Sequence, residues 1–468
     1  MKKLILFVSS LLLVGSGFAA ATTADTAKPA KPVVKQAKHN TKSLAQQVKD
    51  LQDQMDDLKT HRLGRDEFGF VSTSPYLGIR ATYDPNDLLV NLPSVNEDFR
   101  LLQQRQEIAN YVAAHDQRVP DRPIIDLSGS VEAQGISKRD FTGGSKSDVD
   151  LSRAELDVIG DINPWVTGVM IISYDNAPAS SGARGTNSKL YINRGFITIG
   201  NFNKSPVYGT VGQIYVPFGQ YTNFMVTTPL TQSMARTKAR AAEIGYSHEL
   251  GIYGSLYAYK GDTYMNDRNN VINSWGANLG YTKMLQDAKM DIGAGFMHNI
   301  ADSEGMMDNG AAGTSYFKGF KDGKKLRHNV PAVDVHGSLK YTNYSLVAEY
   351  IDSIRVFDTA DMTYDGRGAR PQALDLEFNY DFKVMEKPMS VACGYGRTWQ
   401  ALALNLPKHS AFAKVGAAWW KSTIEAIEYR HDWNYGRSDT ATGAGYAFDY
   451  PPQARTRNIV TAQIGVYF

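Results

Sequence analysis

Arg236, Lys238 and Arg240 stand at every second position in a stretch that also carries Thr227, Thr228, Thr231 and Ser233. In an extended segment this spacing puts three cations on one face. Such a strip can draw anionic solutes into a pore, or it can sit at a strand base and meet lipid head groups. Other side chains whose chemistry suits a wet interior are Arg153, Arg194 and Glu349, with Glu132, Glu155, Asp157, Asp291, Asp334, Lys340, Asp375, Glu377, Glu428 and Arg430. Their mixed signs predict a transverse field with structural ion pairs. The chain holds no Gly-x-Ser-x-Gly, no His-Glu-x-x-His, no glycine-rich phosphate loop and no paired cysteines, so no catalytic, metal or cofactor site is expected. His248, His298, His336 and His431 lie near acids without forming a motif. The single cysteine, Cys393, falls in the strand-like run 391–395 and reads as a buried, apolar thiol.

The elements that must position these groups are strands. From residue 124 onward the pattern has period two, in segments of about ten residues separated by alternately tight and long connections, as in outer-membrane barrels. Sixteen segments run from 126–138 to 456–468, an even number, as a single-chain barrel requires. Turn chemistry marks the tight connections at Asn163-Pro164, Thr342-Asn343 and Glu386-Lys-Pro388. Ala462, Ile464, Val466 and Phe468 alternate with polar or small residues up to the end of the chain. They predict a closing strand whose terminal Phe468 is the barrel-assembly signal. Trp165, Trp275, Trp419, Trp420, Tyr281 and Tyr341 near strand ends are the candidate interfacial girdles.

Within 211–219 Pro217 must end the ladder for want of an amide hydrogen, and Gly219 frees the backbone to turn. The stretch Pro217, Phe218, Gly219 resembles the strand end in substrate-selective porins that leads into an inward-folded third outside loop. That resemblance implies that 219–240 narrows the lumen.

Residues 1–21 have the order of a signal peptide, with Lys2 and Lys3 before an apolar run and small residues after it. No stretch approaches the roughly 20 apolar residues of a membrane-spanning helix, and the mean hydropathy is -0.34. Removing 1–21 takes two of the 50 basic residues and none of the 48 acidic ones, leaving 48 against 48. Such a balance argues against a nucleic-acid partner. Residues 22–42 read as a flexible linker. In 43–60, Leu44, Val48, Leu51, Met55 and Leu58 form a heptad seam, read as a periplasmic coiled coil joining a homotrimer. Residues 61–123 are a periplasmic or plug-like segment with a helix over 95–112, and 124–468 is the barrel.

The heptad after the leader, Thr73-Ser-Pro-Tyr-Leu-Gly78, Asn91-Leu-Pro-Ser-Val95 and the sixteen strands ending in Phe468 together resemble the siderophore-porin family of the legiobactin-receptor type. The resemblance implies a bacterial outer-membrane location and passive uptake of an iron-siderophore, an anionic small solute. It also implies no large plug of the gated-receptor kind. A general or anion-selective diffusion porin and a structural or adhesive surface barrel are the alternatives that the residues leave open.

Overall fold

The computed structural model describes residues 71–73, 95–114 and, from 123 to 468, all but 142–143, 176–188, 266–269, 308–319, 321–323, 421, 444–445 and 448–455. The chain divides into Met1–Arg62 and Leu63–Phe468, and only the second unit holds described residues. The expectations for 1–21, 22–42 and 43–60 therefore fall outside them.

The barrel strands are β1 (Ile124–Arg139), β2 (Ser145–Asn163), β3 (Val166–Asp175), β4 (Lys189–Gly200), β5 (Val207–Tyr215), β6 (Lys238–Ser247), β7 (Ile252–Tyr259) and β8 (Ser274–Met284). They continue as β9 (Ala288–Met297), β10 (Ala332–Tyr341), β11 (Tyr344–Ser353), β12 (Gln372–Val384), β13 (Lys387–Trp399), β14 (His409–Ala417), β15 (Thr423–Trp433) and β16 (Thr456–Tyr467). Each pairs antiparallel with the next, and β16 returns to pair with β1 from Ser130↔Tyr467 to Arg139↔Asn458, which closes the cylinder. Closure is what lets strands sit in hydrocarbon, since it leaves no edge amide without a partner. Below Gly129 the pairing of β1 with β16 has stopped. There the short strand Val71–Thr73 pairs with β1 in parallel, Val71↔Ile125 to Thr73↔Leu127.

Alternation decides which side chains meet lipid. Every strand sends at least one large apolar side chain outward into exposure, from Val131 on β1 to Ile464 on β16. The inward set is polar, as in β15, where Glu428, Arg430 and Asp432 are buried while Ile427, Tyr429 and Trp433 are exposed. Such a barrel, with a greasy outside and a polar inside, spans the bacterial outer membrane. No helix among the described residues is long and apolar enough to cross a membrane. Of the expected girdle, Trp165, Trp275, Trp419, Trp420 and Tyr341 are all exposed. Cys393 corrects the expectation of a buried thiol: it is exposed, on the outward parity of Val391 and Tyr395. Its apolar character serves lipid contact, not a protein core.

Both barrel termini and the connections of at most six residues at 164–165, 201–206, 248–251, 285–287, 342–343, 385–386 and 418–422 share one rim, and the long connections, with the short 140–144, share the other. One turn moves relative to the sequence pattern. Met385 and Glu386, both with positive φ, form the hairpin between β12 and β13, and Pro388 is already in the ladder opposite Lys383. A two-residue hairpin needs left-handed backbone at both central positions, which proline cannot adopt, so the turn lies upstream of it. At the long-loop rim the connections pack together. Met234, Ile300, Met306, Phe357, Met362, Leu402 and Tyr435 belong to one buried apolar cluster drawn from several loops.

Candidate functional site

The loop after β5 leaves the wall where the sequence directs it. Tyr215 is the last strand residue, Phe218 is buried, and Gly219 has φ +76 with the Tyr221 ring 2.4 Å from where a Cβ would stand. Only glycine fits there. The chain then crosses the lumen on inward carboxylates. The Gly219 amide donates to Asp334 Oδ1 at 3.0 Å, and those of Gln220 and Tyr221 donate to Glu349 Oε1 at 2.6 and 3.2 Å. Farther along, the Phe224 amide donates to Glu377 and the Val226 amide to Glu428, each at 2.5 Å. Thr231 Oγ1 donates to Glu349 Oε2 at 2.6 Å, just inside the short helix α2 (Leu230–Ala235). Four strands, β10, β11, β12 and β15, thus hold one loop by charge-assisted bonds to its backbone.

A second element packs against inward side chains of the wall. Helix α1, Glu97–Ala114, meets side chains of β2, β3, β4, β5 and β7. Its first turn carries Glu97 and Asp98, matching the positive end of the helix dipole. Phe99 and Leu102, one turn apart, share a face that packs with Tyr208, Tyr253 and Phe202, and Phe99 stacks on Tyr253 at 5.1 Å between centroids. Thr210 Oγ1 donates to Asp98 Oδ2 at 2.5 Å. Arg105 reaches the tight-turn rim, donating to the Asn163 carbonyl at 2.9 Å and pairing with Asp161 at 3.3 Å. Burial pushes the Glu97 carboxyl up, and Arg194 pulls it back; burial likewise raises Asp98.

Arg194 is the hinge of that contact. Its side chain is fully buried on β4, with Nε 2.8 Å from Glu97 Oε2 and Nη2 3.5 Å from Glu155 Oε1. Farther along the same wall Thr167, Thr198 and Thr210, all inward, are 0% exposed. An open, water-filled lumen would leave such wall residues wet.

The cationic strip is corrected by what its members touch. Arg236 makes a two-nitrogen contact with Glu304, 2.9 Å from Nε and 2.8 Å from Nη2, and lies 4.4 Å over the Tyr215 ring. Lys238 lies 3.8 Å from the same Glu304 and 3.1 Å from Asn193 Oδ1. Arg240 is exposed, on the outward alternation of Ala242, Ile244 and Tyr246. A tight turn of loop between the first cation and the strand breaks the common face, and one glutamate answers two of the three charges. Thr227 is likewise engaged, its Oγ1 donating to Glu428 at 2.5 Å, and the Thr228 carbonyl accepts from Arg430 at 3.1 Å. Arg153, partly exposed, stands 3.9 Å from Glu132. Glu349 serves as a loop anchor. The expected transverse field is therefore largely spent in local pairs, Arg430 and Arg457 with Asp432 among them. Phe468 completes the closing seam through reciprocal backbone bonds with Gly129 at 2.7 and 3.0 Å.

A UPF0422 protein of Legionella pneumophila strain Philadelphia 1 is 39% identical over 409 residues, covering 85% of this chain and 76% of that protein. A UPF0422 protein of Coxiella burnetii strain RSA 493 is 38% identical over 405 residues, covering 85% and 84%. The chain belongs to the UPF0422 family. No family model matches it. Among solved structures, this UPF0422 chain is similar to the outer membrane channel DcaP of Acinetobacter baumannii, with a TM-score of 0.48, 12% identity and coverage of 74% of this chain and 98% of that one. It is also similar to an anion-selective porin from Comamonas acidovorans, at 0.49, 10%, 74% and 100%. The family name carries no siderophore assignment.

The helix had a sequence signal in its apolar spacing, and 95–112 was close to its observed extent. The members of the carboxylate ladder, Asp334, Glu349, Glu377 and Glu428, were legible as inward acids, but nothing local marked that they meet one loop. Glu349, Glu377 and Glu428 are far apart in sequence, and only the closed cylinder brings them under one loop.

Proposed function

We propose that this UPF0422 protein is an outer-membrane channel that admits a small hydrophilic solute through a lumen narrowed by the loop after β5. One observation carries the reading: inward carboxylates of four strands hold the backbone of that loop across the interior. A wall built only for strength has no need of a strand-to-strand bridge through its middle. The direct test is planar-bilayer recording of the purified full-length protein, where stepwise single-channel currents are expected. A membrane left silent at every voltage and pH would reject a channel in favour of a structural barrel.

The solute in this proposal is an iron-siderophore complex, and the assembly a homotrimer. The siderophore is supported by the resemblance in sequence, since the described cations near the constriction are already paired, and the trimer by the heptad seam of Leu44, Val48, Leu51, Met55 and Leu58. Growth on an iron-loaded polycarboxylate siderophore distinguishes this from general diffusion. A deletion strain is expected to regain growth with this protein and not with an unrelated porin. Equal rescue by both would leave only the diffusion porin.

A further inference from the structure

We infer that the outward face of β13, β14 and β15 at the long-loop rim docks a lipid phosphate of the outer leaflet, gripped by Arg397 and His409 and seated among Tyr395, Trp399 and Trp433. The inference depends on the barrel and not on what passes through it. Alternation builds the surface. At mid-height the outward positions of the three strands are apolar, Val391, Ala413 and Ile427, and at the top they become Arg397 with Trp399, His409 and Trp433. No Asp or Glu stands on the outward alternation of 391–399, 409–417 or 427–433.

Height places these groups at the edge of the hydrocarbon. From Glu386 in the hairpin to Arg397, a strand tilted as in such barrels climbs about 28 Å, and the apolar band of an outer-membrane barrel is about 25 Å tall. Arg397 therefore stands at head-group depth. Trp419 and Trp420, exposed in the connection 418–422, mark the opposite boundary. Long connections lie outside the cell in such barrels, so the rim that carries Arg397 meets the outer leaflet.

The charge there is unanswered by the protein. Arg397 pairs across the ladder with His409, and His409 with Trp433. The guanidinium lies 4.5 Å over the Trp399 ring, which packs edge-on against Tyr350. A cation–π contact holds the guanidinium in place and uses none of its N–H donors. Arg397 Nε is buried without an acceptor, and among the described residues no acid pairs with this arginine. Asp352, the outward acid two strands away, is already taken by Arg370, with Nε at 3.1 Å and Nη2 at 2.6 Å. Tyr395 Oη lies 2.6 Å from His409 Nδ1, which orients the ring and leaves Nε2 without a partner among the described residues. A planar fork of donors matches phosphate oxygens two at a time, and the imidazole beside it adds another donor.

Native mass spectrometry of the full-length protein, stripped of lipid in detergent, tests this by titration with diphosphoryl lipid A and with the same glycolipid lacking both phosphates. Wild type is expected to bind the phosphorylated form about tenfold or more tightly, as loss of hydrogen bonds between charged groups implies. Arg397→Gln combined with His409→Gln should lose that preference, and Lys283→Gln, an exposed cation near the opposite rim, should keep it. Inorganic phosphate at the lipid's own concentration should not displace it. Equal affinity of wild type for the two lipids, or none for either, would overturn the proposal without recourse to any variant. So would an undiminished preference in the double variant with its heat-modifiable gel shift intact. Displacement by inorganic phosphate would give the cations to a soluble anion, and a double variant that keeps the lipid but loses its oligomer would give the surface to a second copy; either result rejects the lipid site.

Discussion

Arg194 shows how one side chain can tie two layers of this molecule together. It grows from β4, touches Glu155 on β2 and meets Glu97 on the internal helix, all without contact with water. Arg194→Met keeps the volume and deletes the charge, leaving two carboxylates in a dry site with no countercharge. Removing one partner of a buried pair costs about 3 to 5 kcal/mol. The unfolding midpoint in urea, followed by the gel shift between folded and heated forms, should fall accordingly, while Arg194→Lys should recover part of it. A Met variant as stable as wild type would show that the carboxyls have taken up protons at no cost and that the guanidinium holds nothing. Sequence alone marked Arg194 as an inward cation. It could not show that the residue would be spent on the helix, because Glu97 is 97 positions away and enters the lumen from outside the barrel pattern.

At the scale of elements, the loop after β5 and the strands differ in how far local chemistry determines them. Strand extents followed from period two: β4, β5, β7, β10, β11 and β15 occupy the segments that alternation marks. The loop's departure was also written locally, in Pro217 and Gly219. Its path was not, since it depends on which amides find which carboxylates. Those bonds give the loop a testable rigidity. Glu349→Gln retains an acceptor oxygen but removes the charge under Gln220, Tyr221 and Thr231, and Glu428→Gln does the same under Val226 and Thr227. Hydrogen bonds to a charged group contribute about 1.5 to 3 kcal/mol, against about 1 kcal/mol for neutral ones. Hydrogen–deuterium exchange of peptides spanning 219–231 should therefore quicken about tenfold in either variant, each 1.4 kcal/mol being a factor of ten. Protection unchanged in the double variant would mean that the loop is held by its apolar contacts, Phe218, Phe224 and Leu230, and not by the wall.

The whole molecule sets the charge that a permeating ion would feel. Hydrocarbon outside forces apolar side chains onto one face of every strand, and the charged residues that remain in the strands gather inward. Among the described inward strand residues the acids Glu132, Glu155, Asp157, Asp334, Glu349, Asp375, Glu377, Glu428 and Asp432 outnumber the cations Arg153, Arg194, Lys414, Arg430 and Arg457, and Arg236 and Lys238, where the loop meets β6, already sit beside Glu304. A pore selects anions when unpaired cations line its narrowest part. Here the one exposed member of the expected strip, Arg240, lies on the outer face near the rim, where its cost in lipid is about 0 to 1 kcal/mol against about 2 to 4 at the midplane. The reversal potential across a tenfold KCl gradient should accordingly fall at zero or on the cation side. Neutralising Glu304 by Glu304→Gln should move it toward chloride, because Arg236 and Lys238 then lose the acid they share. A wild-type potential well on the chloride side would require a positive constriction elsewhere in the lumen and would make the pairing of Arg236 with Glu304 irrelevant to permeation.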